Sequence, residues 1–195
     1  MSTPPSLILA STSTYRAALL RRIFGRFECM APEVIELPAQ DESPAATASR
    51  LAQAKAQAVA ARHPGAVVIG SDQVAELDGR VLGKPGSASA MREQLQASNG
   101  RMVVFHTAVC VIGPDGSEYR VTDLTRVRFR ALSSNEIDRY VEREPSFDCA
   151  GGFKAEALGI VLFETIESRD PTALIGLPLI ATCRLLRLAG LEPLA

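Results

Sequence analysis

The sequence is poor in the residues on which several protein classes depend. It has no tryptophan, 5% aromatic residues, two histidines (His63 and His106) and four widely spaced cysteines (Cys29, Cys110, Cys149 and Cys183). No CxxC pair occurs, so a structural zinc site is not expected. No secretory leader is evident, and a chain of 195 residues does not need covalent staples. The cysteines therefore read as intracellular thiols rather than a disulfide framework, and a cytoplasmic location is expected. No uncharged apolar run reaches about 18 residues, which excludes a membrane-spanning helix. Lysine is confined to Lys55, Lys84 and Lys154, and the formal net charge is -1. That balance carries no basic footprint, so neither nucleic acid nor membrane is an expected partner, while a local phosphate site stays open. What is present, 47% hydrophobic and 22% charged residues, suffices for a folded chain with a sizeable core.

The pattern along the chain alternates strands and helices. Ser6 to Ala10 reads as a short buried strand, followed by the polar turn Ser11-Thr12-Ser13 and an amphipathic helix from Arg16 to Phe24. Phe27 to Met30 reads as a second strand and Pro32 to Gln40 as a loop. Ser43 and Pro44 then cap a helix from about Ala45 to Arg62. Ala66 to Gly70 predicts a strand covered on both faces that runs into Ser71-Asp72-Gln73, and Leu77 to Arg80 a hairpin turn inside a continuing ribbon. A helix from Ala88 to Ala97, strands over Met102 to Ile112 and Tyr119 to Arg130, and a Ser133/Glu136 capping box opening another helix come next. Ile160 to Ile166 reads as a strand and Leu179 to Leu188 as the last helix. The expected fold class is α/β, a mixed twisted sheet with flanking helices. No linker, repeat or low-complexity segment is visible, so residues 1–195 are expected to form one domain with two lobes around a central cleft.

Several polar groups are candidates for chemistry. Asp72 directly follows an apolar strand, where α/β sheets place ligands. There it would bind a cation or poise a water, although the position equally suits an acid capping a turn. Ser11, Thr12 and Ser13 at a helix start, with Arg16 one turn on, could surround an anion; plain capping and a surface arginine are the alternative. Lys84, between Gly83 and Gly86 and beside Pro85, suits a phosphate or a solvated hairpin exit, but the spacing is not a Walker loop. Glu33 and Glu36, with Asp72, could give the oxygen set of a magnesium-type ion. Asp41 and Glu42 read rather as a solvated charge run. Lys55 lies on the alanine-rich face of its helix, so it either snorkels or points into a cleft. Lys154 and Glu156 follow Gly151-Gly152-Phe153 at a spacing of two, which in an extended segment would line a pocket. Glu156 could then accept from a base edge. Tyr15 would stack on a base or pack. His106 reads as a structural histidine, the cysteines as core fillers, and no Ser-His-Asp order can be built.

Read together, these pieces resemble the Maf family of nucleoside triphosphate pyrophosphatases. The resemblance rests on Leu9-Ala10-Ser11-Thr12-Ser13 with Arg16, Leu51-Ala52 with Lys55-Ala56, and Gly70-Ser71-Asp72-Gln73. It continues through Leu82-Gly83-Lys84-Pro85-Gly86, Phe153-Lys154-Ala155-Glu156 with Gly159, and Gly176-Leu177-Pro178-Leu179. These pieces span nearly the whole chain in order. The resemblance implies the Maf/Ham1 (ITPase-like) fold and hydrolysis of a nucleoside triphosphate to its monophosphate and diphosphate with a divalent cation, Mg2+ or Mn2+. It implies Asp72 as proton acceptor, Arg16, Lys55 and Lys84 as phosphate ligands, and Tyr15, Gln73 and Glu156 as substrate-selecting residues; the helix-start hydroxyls of Ser11 and Ser13 are expected to join the phosphate ligands and Lys154 the selecting residues. Glu36 and Asp72 are the expected metal ligands, with Glu33 as the substitute for the family acid this chain lacks, and a homodimer and a nucleotide-housecleaning role are implied too. The branch cleaving dTTP and UTP carries arginine, threonine and glutamine where this chain has Tyr15, Gln73 and Glu156. The chain resembles instead the branch acting on 7-methyl-GTP, and an acid at Glu156 suits a cationic methylated guanine. One departure stands out: the family's Asp-Glu pair is reduced to Glu36, preceded by Ile35. The other readings are cleavage of dTTP, UTP or another non-standard nucleotide, and a nucleotide-binding regulator without catalysis.

Overall fold

The computed structural model describes residues 5–37 and 39–194. Its elements are β1 (Leu7–Leu9), α1 (Thr14–Leu20), β2 (Glu28–Cys29), α2 (Pro44–Ala60), β3 (Val67–Leu77), β4 (Arg80–Leu82) and α3 (Ala88–Ser98). They continue with β5 (Met102–Ile112), β6 (Glu118–Phe129), α4 (Ser134–Arg143), β7 (Phe163–Glu167) and α5 (Leu179–Leu188). The strands form a seven-stranded sheet in the order β2-β1-β3-β5-β6-β7, with β4 pairing to β3. The sheet is mixed, as expected: β1 runs parallel to β2 and β3, while β3 to β4 and β6 to β7 are antiparallel. Among the described residues no helix is long and apolar enough to cross a membrane.

Local chemistry accounts for most boundaries. Ser43 accepts from Ala46 N at 3.3 Å and Pro44 occupies the first turn of α2. Ser87 caps α3 in the same way. Ser133 and Glu136 form the reciprocal capping box of α4. Asp78 and Gly79 both take positive φ, 47° and 79°, which lets β3 fold back as β4 through a two-residue turn.

The chain is organised as two compact units. One comprises the N-terminal part through Asp72, Thr107–Asp123, and the chain from Asp170 onward; the other comprises Gln73–His106 and Leu124–Arg169. The first has a core of Leu7, Leu9, Leu19, Leu20, Val67, Ile69, Val109 and Val111 with Leu185 and Leu186 of α5. The second contains edge-to-face rings, with Phe153 4.8 to 5.6 Å from Phe105, Phe129 and Phe163.

Four expectations are corrected. The strand predicted to end at Gly70 continues to Leu77, so Asp72 lies inside β3 rather than beyond it. Ser71 and Asp72 interrupt the apolar run but are themselves buried and partnered, which keeps the strand intact. The strand predicted over Ile160 to Ile166 begins only at Phe163, because Leu158–Leu162 forms a 3-10 turn. The segment holding Lys154 and Glu156 is not extended; Ala155 to Ala157 make a turn, closed by Ala157 N donating to Lys154 O at 3.2 Å. Of the four free thiols, Cys110 is buried and pushed up to about 12 by desolvation, but Cys29 is exposed and fills no core.

One close approach in the first unit sets β3 directly against α2. A Cβ on Gly70 would stand 2.3 Å from Ala52 O and 2.6 Å from Ala56 N. Glycine in β3 facing alanines in α2 lets the two backbones meet. Residues two apart on a strand share a face, so Asp72 faces α2 as Gly70 does. Replacing Gly70 by Ala is expected to cost about 3 kcal/mol through overpacking. Chemical denaturation would read this as a lowered midpoint at unchanged slope, and a wild-type midpoint would show that the contact is not tight.

Candidate functional site

The polar centre of the first unit is built around Lys55. Its helix buries Ala48, Leu51, Ala52, Ala56 and Val59, and Lys55 lies on this same stripe, 4% exposed. A buried ammonium needs partners, since desolvation without them is costly. Lys55 Nζ meets Asp72 Oδ1 and Glu36 Oε1, each at 2.7 Å. Asp72 is buried beside it, whereas the Glu36 side chain is 50% exposed.

Two arginines bear on this centre. Arg16 Nε donates to Gly176 O at 2.9 Å. Burial lowers the Arg16 pKa, while the charges of Asp72 and Glu36 oppose that shift. Arg50 forms a fork on Glu42, with Nε to Oε1 and Nη2 to Oε2 both at 2.7 Å, and Nη2 also donates to Leu37 O at 3.0 Å. The same carboxylate accepts from Ala39 N and Thr47 Oγ1. These bonds, Arg50 first, hold Glu42 down at about 2. Glu42 is therefore not part of a solvated run; it clamps the loop that carries Glu36. Sequence reading missed Arg50, because its partner Glu42 lies outside the helix, eight residues earlier, where no helical spacing pairs them.

The turn before α1 is tightly self-bonded. Ser11 Oγ accepts from Ser13 N at 3.1 Å, and Ser13 Oγ caps the helix by accepting from Arg16 N at 3.4 Å. Each hydroxyl keeps its own proton to donate. Ser71, another residue passed over, is fully buried, with Oγ 2.8 Å from Ala108 O and 3.0 Å from Gly176 O. Tyr15 is half-buried.

Glu36, not Glu33, is the loop acid that meets Asp72 at Lys55. Glu33 stands in a left-handed conformation, φ 52°, and reaches Arg62 at 3.5 Å. Among the described residues, no group of three or more His, Cys, Asp or Glu side chains is gathered as a metal cluster. A hard divalent cation needs only one or two carboxylates when phosphate and water oxygens complete its shell. Glu36 and Asp72 already converge on one cationic group and meet that requirement.

The remaining candidates lie on the second unit. Lys84 is exposed, on a loop held by Gln94 Nε2 donating to Gly83 O at 3.1 Å and Gly86 N donating to Phe147 O at 3.0 Å. Gln73 and Lys154 are half-buried and Glu156 is exposed on its turn. Gly159 packs that turn closely, since a Cβ there would lie 2.4 Å from Lys154 O. His106 Nε2 pairs with Glu76 Oε2 at 2.7 Å, in keeping with a structural histidine.

Burial raises the Asp72 pKa above its ordinary 3.8, and Lys55, then Arg16, partly offset this. A raised carboxyl is a better proton acceptor near neutrality than an exposed one.

Comparison with known proteins places these residues in context. A family model described as Maf-like protein matches residues 6–189. A 7-methyl-GTP pyrophosphatase of Xanthomonas oryzae pv. oryzae is 60% identical over 186 residues, covering 95% of this chain and 97% of that protein. A 7-methyl-GTP pyrophosphatase of Aromatoleum aromaticum is 54% identical over 186 residues, covering 95% and 96%. The solved Staphylococcus aureus Ham1 protein is 19% identical, with a TM-score of 0.46 over 64% of this chain and 71% of that one.

Because the folded Asp72 pKa is raised, its ionisation opposes folding. The protein loses stability from this group as pH rises from the ordinary aspartate range through the raised value. In Lys55→Met the largest opposing charge is gone, so the Asp72 midpoint is expected to rise further. Side-chain carboxyl NMR titration reads it directly, and an unchanged or lower midpoint would remove Lys55 as the controlling charge.

Proposed function

As the chain belongs to the Maf-like protein family, we propose that it is a nucleoside triphosphate pyrophosphatase that cleaves 7-methyl-GTP to 7-methyl-GMP and diphosphate. The observation that carries this reading is the 60% identity, over nearly the full length of both chains, to a relative named for that activity. The arrangement around Lys55 supports it chemically.

Hydrolysis of a phosphoanhydride asks the protein to position a water, accept its proton and spread the charge of the triphosphate. In this reading Asp72 takes the proton as the water oxygen bonds to the α-phosphorus and the bond to the departing diphosphate breaks. Lys55 holds Asp72 in place with one N–H and Glu36 with a second. An ammonium has three donors, so one remains for a phosphate oxygen. Arg16 keeps its Nη edge for the same anion while Nε is anchored on Gly176 O. The hydroxyls of Ser11 and Ser13 donate to it in turn. Asp72 and Glu36 would hold a divalent cation, Mg2+ or Mn2+, which when bound supplies Lewis-acid neutralisation of the triphosphate.

Roles on the second unit are assigned residue by residue. Lys84 is assigned to phosphate. Gln73, Lys154 and Glu156 are assigned to the base, with the Glu156 carboxylate matched to the positive ring of 7-methylguanine, and Tyr15 is assigned to substrate selection. Family membership also motivates a homodimer, a housecleaning role and a cytoplasmic location.

Purified protein with magnesium is expected to release both monophosphate and diphosphate from 7-methyl-GTP faster than from GTP, dTTP or UTP. A preference for dTTP or UTP would overturn the substrate, and tight nucleotide binding without release of either product would leave a regulator. Replacing Asp72 by Asn is expected to lower kcat by about 10²–10⁴-fold while a non-hydrolysable triphosphate still binds. Undiminished turnover in this variant would reject Asp72 as proton acceptor.

A further inference from the structure

The segment from Asp170 to Ile180 takes no direct part in the proposed hydrolysis, yet it carries a deeply buried carboxylate. Asp170 is 2% exposed. Its Oδ1 accepts from Thr172 N at 3.0 Å and lies 2.6 Å from Thr172 Oγ1, and its Oδ2 accepts from Ile180 N at 2.6 Å, in the first turn of α5. Thr172 Oγ1 also accepts from Leu179 N at 2.8 Å and lies 2.8 Å from Leu177 O. One hydroxyl proton thus serves Asp170 or Leu177, while its oxygen satisfies the helix start. Further along, Ala173 O accepts from the buried Thr107 Oγ1 at 3.0 Å. The segment is closed on itself from Asp170 to Ile180 and tied to β5 through Ala173.

Between those ends lies Gly176, at φ 122°, a conformation that L side chains rarely adopt. Its carbonyl accepts from Arg16 Nε at 2.9 Å and lies 3.0 Å from Ser71 Oγ, whose one proton serves it or Ala108 O. A guanidinium is planar, with five N–H donors in a fixed fork. Committing Nε to an immobile carbonyl sets the plane and leaves the Nη edge pointing elsewhere. A buried carboxylate with three bonds to its own segment holds geometry at a desolvation cost, and Gly176 O is where that geometry reaches Arg16.

We propose that Asp170 is a positioning residue: through Thr172 it fixes the Gly176 carbonyl, and that carbonyl aims the Arg16 guanidinium at the triphosphate. The inference rests on the pyrophosphatase reading and deepens it by extending the phosphate site to a segment about 155 residues away in sequence from Arg16. Asp170 itself touches no substrate.

The test is a double-mutant cycle between Asp170 and Arg16. Asp170→Asn keeps the size but sets an amide against a backbone N–H, and it is expected to lower kcat/KM by about 10–100-fold, the usual reach of such supporting bonds. Arg16→Lys keeps the charge but has no Nε donor, so the Gly176 carbonyl can no longer aim it. In that background Asp170→Asn is expected to cost less than about twofold, a strong non-additivity. Equal factors in both backgrounds, or no loss in the single variant, would overturn the proposal. Should Asp170→Asn fail to fold, Thr172→Val is expected to reproduce its effect and Thr172→Ser to restore activity; loss with both, or with neither, counts against it. The same cycle read as the Kd of inorganic tripolyphosphate by calorimetry separates the two readings. A wild-type protein inert toward every triphosphate defeats the proposed function, while additive tripolyphosphate affinities defeat the positioning role.

Discussion

The site depends on one buried ammonium that two carboxylates share. Lys55 cannot be left without counter-charge in the core of the first unit, so α2, β3 and the loop before α2 must meet at one point. Each of these segments brings a different piece of chemistry. The helix brings the cation, the strand brings a carboxylate whose pKa burial raises, and the loop brings a carboxylate that stays half in water. Removing the meeting point would strip Asp72 of its largest counter-charge and push the buried acid toward its neutral form.

Around that point the fold adds close backbone contact and one further ion pair. Gly70 against Ala52 and Ala56 brings strand and helix together, and Arg50 on Glu42 ties down the loop. Gly176 O accepts from Arg16 and lies beside Ser71 Oγ. These groups are thereby held in place without any ligand, and such preorganisation is what the proposed electrostatic catalysis requires. On the proposed reading, a phosphate site on a chain with net charge -1 needs no basic surface. A few cations suffice when they are aimed and partly desolvated.

Helix starts and turns were legible because their causes are local. Ser43-Pro44, the Ser133/Glu136 box and Asp78-Gly79 act within a few residues, and the structure carries each as read. The last helix, Leu179–Leu188, and the strand Met102–Ile112 also stand where periodicity put them. Errors fell where a distant partner reversed the local preference. The polar residues Ser71 and Asp72 looked like the end of a strand, but Ala108 O, Gly176 O and Lys55 satisfy them and the strand continues. Glu42 looked solvated until Arg50 was seen beside it. Ile160 looked like strand because an apolar run does not distinguish a 3-10 turn from extended chain.

Residue order alone determined the α/β class, the family and the set of chemically competent side chains, because periodicity, capping and motif spacing are properties of neighbours along the chain. Tertiary structure alone decided which acids face Lys55, that Glu33 turns to Arg62 instead, and that a carbonyl at Gly176 receives Arg16. Those outcomes arise from burial and from contacts between segments tens to more than a hundred residues apart. No local preference encodes them; only packing, which makes an unpaired buried charge intolerable, selects them.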